Sequence, residues 1–235
     1  MEQKFPFLAT IICFCAFLLL IGLGIWQVQR LSWKENLQYQ LDSLMARQEL
    51  SHLHPADFQP TDPNQLGRGI LEGTFLFSRA LYLNGYVFDG RAAFPVVVPV
   101  LIDGNKDQVV AAVLWIERTK NPEKWATYTD RHAAVSGLVR LPERSHFRPK
   151  NIAEENEWWT FDLQKMAEFW GFSQVAPALF YGENAAPLDD SQESYPIPVH
   201  LRNDHAQYAI FWFTMAGILS IFWGLRFLRP YLHSA

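Results

Sequence analysis

Cysteine is almost absent from this 235-residue chain: Cys13 and Cys15 are the only two, and both sit inside an apolar run near the N-terminus. The long central stretch therefore carries no disulfide and no thiol nucleophile. Spaced two apart on a helix, the two thiols point to different faces and read as small packing residues rather than as a copper site. Basic excess is missing as well. Lys and Arg number 20 against 24 Asp and Glu, a net charge of -4, which argues against nucleic acid as a partner. No glycine-rich phosphate loop and no Gly-x-Ser-x-Gly elbow occurs, and the paired acids Glu154 and Glu155 lie in polar, loop-like sequence with nothing to desolvate them. Enzyme chemistry has no visible home, and the chain is expected to bind rather than transform.

Charge itself is absent from two stretches. Residues 5–28 and 208–225 contain no charged side chain, and each is long enough to cross a hydrocarbon core of about 30 Å. The first run is longer than a signal-peptide core and Trp26-Gln27-Val28 offers no small-x-small cleavage site, so it reads as a retained anchor; it also lacks the Arg- and Ser-rich character of a mitochondrial transit peptide. Arg226 and Arg229 follow the second run with no acid to oppose them, which places the C-terminal tail in the cytoplasm. Two spans put both termini on that side and the central segment in the periplasm of a bacterial inner membrane. With only residues 226–235 beyond the second run, a sensor or transducer would have no output domain.

What lies between is patterned for strands. Leu37, Leu41 and Leu44 continue helical spacing past the first run towards a Pro-rich stretch at 55–63, where His52 and His54 read as solvated loop rather than metal ligands. Short β-prone runs follow at 69–77, 80–88, 94–102, 108–117 and 133–140, broken by Asn84-Gly85, Asp89-Gly90 and Asp103-Gly104-Asn105. Leu163, Met166, Ala167 and Trp170 recur at helical spacing before Gly171, a helix-ending position, and a short strand is expected near 175–181. The expected fold is an α+β membrane protein: two terminal transmembrane helices flanking a periplasmic, antiparallel, β-rich domain, partly closed like a barrel, with one packed helix. Its expected segments are an N-terminal span at 1–30, a helical stalk and linker at 31–66, the β-rich domain at 67–181, a linker at 182–204, a C-terminal span at 205–227 and a tail at 228–235. The domain is large enough to bury one core.

His205 stands where the second apolar run begins, in Arg202-Asn203-Asp204-His205-Ala206-Gln207-Tyr208. An imidazole at membrane depth is costly without a hydrogen bond, a counter-charge or a metal. His205, Tyr208, Ala209 and Trp212 fall on one helical stripe, and Trp26, Arg30 and Trp33 on another. Both lie at the same membrane face, so the stripes can meet. A ligand held by His205 competes with a plain aromatic belt in which His205 only caps or hydrogen-bonds at a helix entry. Gln27 reads either as a contact between the spans or as a ligand contact. Arg140 reads as a surface or salt-bridge residue, and His132, His146, His200 and His233 as exposed.

Several of these segments together resemble the Surfeit locus 1 family of cytochrome c oxidase assembly factors. Gly24-Ile25-Trp26-Gln27, with Arg30 and Lys34, resembles its Gly-x-Trp-Gln-x-x-Arg-x-x-x-Lys signature. Phe94-Pro95-Val96-Val97-Val98-Pro99 and Ser136-Gly137-Leu138-Val139-Arg140-Leu141-Pro142 are similar to its strand motifs, and Trp158-Trp159 with Asp162 and Met166-Ala167 to the start of its helix. Asn203-Asp204-His205 with Tyr208-Ala209 and Trp212 resembles its Asn-Asn-His-x-x-Tyr-Ala-x-x-Trp signature, with Asp204 in place of the second Asn. The family's Asn-Arg-Gly-Trp segment stands here as Ala112-Val113-Leu114-Trp115. The resemblance implies an assembly factor for the haem–copper oxidase that binds haem a, with His205 as axial ligand to iron and Tyr208, Trp212, Trp26, Gln27, Arg30 and Arg202 around it. It also implies delivery to oxidase subunit I, with haem a synthase as a further partner. The alternative is a haem-independent scaffold for early assembly intermediates.

Overall fold

A computed structural model describes residues 7–60, 62, 65–103, 108–142, 147–197 and 203–228. The chain divides into two compact units, Leu41–Pro198 and the pair Met1–Gln40 with Val199–Ala235.

In the larger unit the strands are β1 (Gly67–Phe75), β2 (Leu81–Tyr82), β3 (Tyr86–Phe88), β4 (Arg91–Ile102), β5 (Gln108–Glu117), β6 (Arg131–Arg140), β7 (Gln174–Gly182) and β8 (Gln192–Ser194). Five of them close on themselves in the order β1-β4-β5-β7-β6 and back to β1, so the barrel is complete rather than partly closed. One seam also departs from the antiparallel expectation, because β5 and β7 run parallel. A parallel pair needs a long crossover, and the chain between them supplies it, passing through β6 and the helix α2 (Leu163–Trp170).

Two apolar clusters explain why β4 and β5 read as unbroken hydrophobic runs instead of alternating. Leu71, Phe75, Val98, Val100, Val110, Ala112, Leu114 and Phe180 belong to one cluster. Val97, Val109, Ala111, Val113, Leu138 and Leu179 belong to the other, with Leu163, Met166, Ala167 and Trp170 of α2. Both faces of the central strands are thus covered, and burying one such side chain is worth about 2 kcal/mol. Asp162 caps α2 by accepting from the Lys165 N–H, and Gly171 ends it in the left-handed region at φ 84°. Leu41 joins the same cluster from the last turns of the long helix α1 (Phe7–Met45), so α2 is not the only helical segment packed on the sheet.

The run expected as one strand over 80–88 breaks into β2 and β3 at Asn84-Gly85, where Gly85 takes φ 75°. The 182–204 stretch expected as a linker supplies β8, which pairs with β5, and Glu183, whose carboxylate receives two hydrogen bonds from Arg68 at 2.7 Å each. Arg68 also donates to the carbonyls of Leu44, Met45 and Arg47 at 3.3, 3.2 and 2.8 Å, where α1 ends and helical partners run out. At the β6–β7 seam Gly137 faces Gly182, and a Cβ on Gly137 would lie 2.2 Å from the Tyr181 carbonyl oxygen. The two strands approach that closely only because nothing projects there.

The smaller unit contains α1 as far as Gln40 and α3 (His205–Trp223), which continues as one wider turn over Gly224–Leu228. Both helices are long and apolar enough to cross a membrane.

Candidate functional site at the helix pair

Over residues 7–28 of α1 and 208–225 of α3 no charged side chain interrupts either helix, so hydrophobicity alone selects no facing stripe. Packing selects one. On α3 the least exposed positions are His205, Ala209, Trp212, Ala216, Leu219 and Trp223; on α1 they include Cys13, Phe17, Leu20, Gly24 and Gln27. Each set steps by four and three residues, the seam of an antiparallel coiled pair. Trp223 Nε1 donates to Thr10 Oγ1 at 3.3 Å near one end, and Gln27 meets His205 near the other. Gly24 lies under the Phe213 ring, which a Cβ would enter at 2.5 Å. Small residues at such a seam let two backbones come close.

The polar centre of this pair is the contact between Gln27 Oε1 and His205 Nδ1, 2.6 Å apart. With the amide oxygen as acceptor this contact takes the Nδ1–H tautomer, in which Nε2 keeps its lone pair. Gln27 is buried, at 8% exposure, and His205 is half-buried. Among the described residues nothing hydrogen-bonds Nε2. Orienting an imidazole through one nitrogen while the other stays bare is how a ligating histidine is prepared for a metal. The Trp26 ring stands edge-on to His205, with centroids 6.5 Å apart. Asn203 Oδ1, two residues before His205, is buried with no hydrogen-bond partner.

The other expected site residues divide around this centre. Trp212 lies half-buried on the seam, whereas Tyr208 turns away from it and is 55% exposed. Trp26, Arg30 and Trp33 share the exposed flank of α1, and the Arg30 guanidinium sits 4.6 Å over the Trp33 ring. Gln27 and His205 meet directly between the helices, where the sequence places the two stripes face to face. Arg202, His146, His200, His233 and Arg229 lie outside the described residues.

A second polar centre, which the sequence reading passed over, is in the barrel unit. Glu117 is buried at the end of β5 and receives the Tyr82 hydroxyl and the Lys124 ammonium, each at 2.5 Å. Lys124 also reaches Asp189 at 3.2 Å, and Asp189 is bonded by the Tyr128 hydroxyl and by the Ser191 hydroxyl and N–H. Burial, with the bond to Glu117, pushes the Tyr82 phenol far above its usual value. Burial and the bond to Asp189 push Tyr128 up to about 12. Burial works against ionisation of Asp189, but the hydrogen bonds from Ser191, Tyr128 and Lys124 outweigh it and hold the carboxyl well below the usual range. The shifts of Tyr82, Tyr128 and Asp189 all lead away from neutrality, and the network ties the chain around Asp189 to the end of β5. Trp115, the residue kept from the family's Asn-Arg-Gly-Trp segment, is likewise structural: it is buried and donates to the Ala185 carbonyl at 3.0 Å.

The class defined by these features is a closed five-stranded barrel joined to two membrane-length helices, with an oriented imidazole as the chemical centre of the helix pair. The chain belongs to the SURF1 family, whose family model matches residues 14–217. It is 29% identical to human Surfeit locus protein 1 over 235 residues, covering 88% of this chain and 74% of the relative. A SURF1-like protein of Rickettsia bellii is 25% identical over 211 residues, covering 87% and 85%. Surfeit locus protein 1 of Takifugu rubripes is 26% identical over 241 residues, covering 91% and 96%.

Proposed function

We propose that this protein is an assembly factor for the haem–copper cytochrome c oxidase that holds haem a as cargo and promotes its delivery to subunit I. Its helices lie in a bacterial inner membrane, the barrel faces the periplasm, and the positively charged C-terminal end stays in the cytoplasm. The observation that carries the reading is the Gln27–His205 bond, which commits Nδ1 and leaves Nε2 as the donor atom for iron.

The donor set on this flank fits a haem. His205 supplies the nitrogen, Trp26 and Trp33 supply flat apolar surface, and Arg30 supplies a cation for a propionate near the water boundary. A site at the edge of a two-helix seam is open on one side, which suits release better than retention. The chain binds and orients its cargo and leaves it chemically unchanged. Subunit I, and haem a synthase upstream of it, are the partners this role requires.

The test uses cells that lack the chain. Restoring the wild-type gene should restore the haem a content of subunit I, whereas His205→Ala should restore little of it while subunit I still copurifies with the variant. Full restoration by His205→Ala, with copurification that persists when haem a synthesis is abolished, would instead establish a haem-independent scaffold.

A further inference from the structure

A second group of metal-ligating side chains lies on the outside of the barrel, in residues distant along the chain. Glu72 Oε, Asp103 Oδ and a ring nitrogen of His132 converge with all ligand atoms within 4.8 Å of one another. His132 Nε2 is 2.8 Å from Asp103 Oδ2, and His52 Nδ1 is 2.9 Å from Glu72 Oε2. One imidazole and two carboxylates thus face one small volume, and His52 reaches the Glu72 carboxylate beside it.

The backbone ladder makes this meeting a consequence of the fold. β1 alternates inward Leu71, Gly73 and Phe75 with outward Glu72 and Thr74. Gly73 pairs with Ile102, so Asp103, one residue on, comes opposite Glu72 at the end of β4. Thr74 pairs with His132 on the other side of β1, which sets the imidazole on the same face, one diagonal step away. His52 enters by a bridge to Ile70, two residues before Glu72. Four positions that look unrelated in sequence, including one of the two histidines near the Pro-rich stretch, are thereby gathered around a single strand. His132, expected simply as exposed, is exposed but partnered. Its imidazole is raised above its usual value by the hydrogen bond to Asp103, with the Glu72 carboxylate adding to the field.

We propose that His52, Glu72, Asp103 and His132 form a surface site for a divalent transition-metal ion of the zinc type. Mixed imidazole and carboxylate donors suit such an ion and disfavour Mg²⁺ and Ca²⁺, which take oxygen alone. Two carboxylates supply the charge to neutralise it, and exposed side chains rotate freely enough to close on bonds of about 2.1 Å. The bound ion clips the segment before the barrel, β1, the end of β4 and β6 together, so it stabilises the folded barrel unit by mass action.

Equilibrium dialysis of the full chain in detergent against Zn²⁺, with thermal unfolding followed in parallel, tests this. Wild type and His205→Ala should each take up one Zn²⁺ at this site and unfold at a higher temperature in its presence. His132→Ala and Glu72→Gln should each weaken uptake by about tenfold or more and remove the thermal shift, while melting like wild type without metal. Absence of zinc uptake by wild type, or affinity unchanged in the His132→Ala, Glu72→Gln double variant, would overturn the assignment.

Discussion

Gln27 holds the His205 ring through Nδ1 at 2.6 Å, and with its amide oxygen accepting it favours the tautomer that leaves Nε2 bare. Replacing it with Leu keeps the volume but removes the acceptor, so Nε2 is no longer the committed donor. Gln27→Leu should lower haem a affinity by about tenfold without unfolding the helices, read as haem content per purified chain. Arg68 works differently, joining Glu183 to the carbonyls that end α1 through one guanidinium. Arg68→Ala leaves Glu183, 9% exposed, without its charge partner, and should cost about 3 kcal/mol in denaturant unfolding. Asp189 and Tyr128 make stability depend on pH in opposite directions. The Asp189 carboxyl is depressed, so its contribution is full above the ordinary carboxylate value near about 4 and is lost as pH falls through the folded value. Tyr128 is raised to about 12, so its contribution is full below the ordinary phenol value near about 10 and is lost as pH rises beyond it. In melts from acid to alkali, Asp189→Asn should lose the acid-side dependence and Tyr128→Phe the alkaline-side dependence.

At the scale of elements, the barrel strands were legible because β-branched runs and Asn-Gly or Asp-Gly breaks mark them directly. β5 falls at 108–117 as expected, and α2 runs from its Asp162 cap to Gly171. Closure was not legible, since it depends on which strands pair and the β5–β7 contact joins segments on either side of β6 and α2. β8 was hidden for another reason: its three residues lie in an acid- and Pro-rich stretch, which joins the domain through pairing with β5 and through Glu183, Ala185 and Asp189, contacts that composition does not show. The seam of the helix pair was half legible. Gln27, Trp212 and His205 were singled out by residue type, but an all-apolar helix gives periodicity no purchase, so Trp26, Arg30 and Trp33 were assigned to the facing stripe when Gly24 and Gln27 occupy it. Small size, at Gly24, Ala209 and Ala216, was the available clue. The Gly137–Gly182 pair sets a further test of closure. Gly137→Val places side-chain atoms against the Tyr181 carbonyl and should destabilise the barrel by about 3 kcal/mol, measured by denaturant unfolding.

For the whole molecule, the proposed function assigns the ligand to the helix pair and expects the barrel unit on the periplasmic side of the membrane. Phe147 is fully exposed on the barrel unit. With Cys13 and Cys15 changed to Ser, Phe147→Cys should react with a membrane-impermeant maleimide in intact spheroplasts; protection until the membrane is lysed would reverse the proposed orientation. The most direct measurement is the visible spectrum of the purified protein from cells that make haem a, taken for wild type, His205→Ala and Gln27→Leu. Wild type should show a ligated haem a spectrum, His205→Ala should lose it and Gln27→Leu should carry it at reduced occupancy. An identical spectrum at full occupancy in His205→Ala would contradict the proposed ligation.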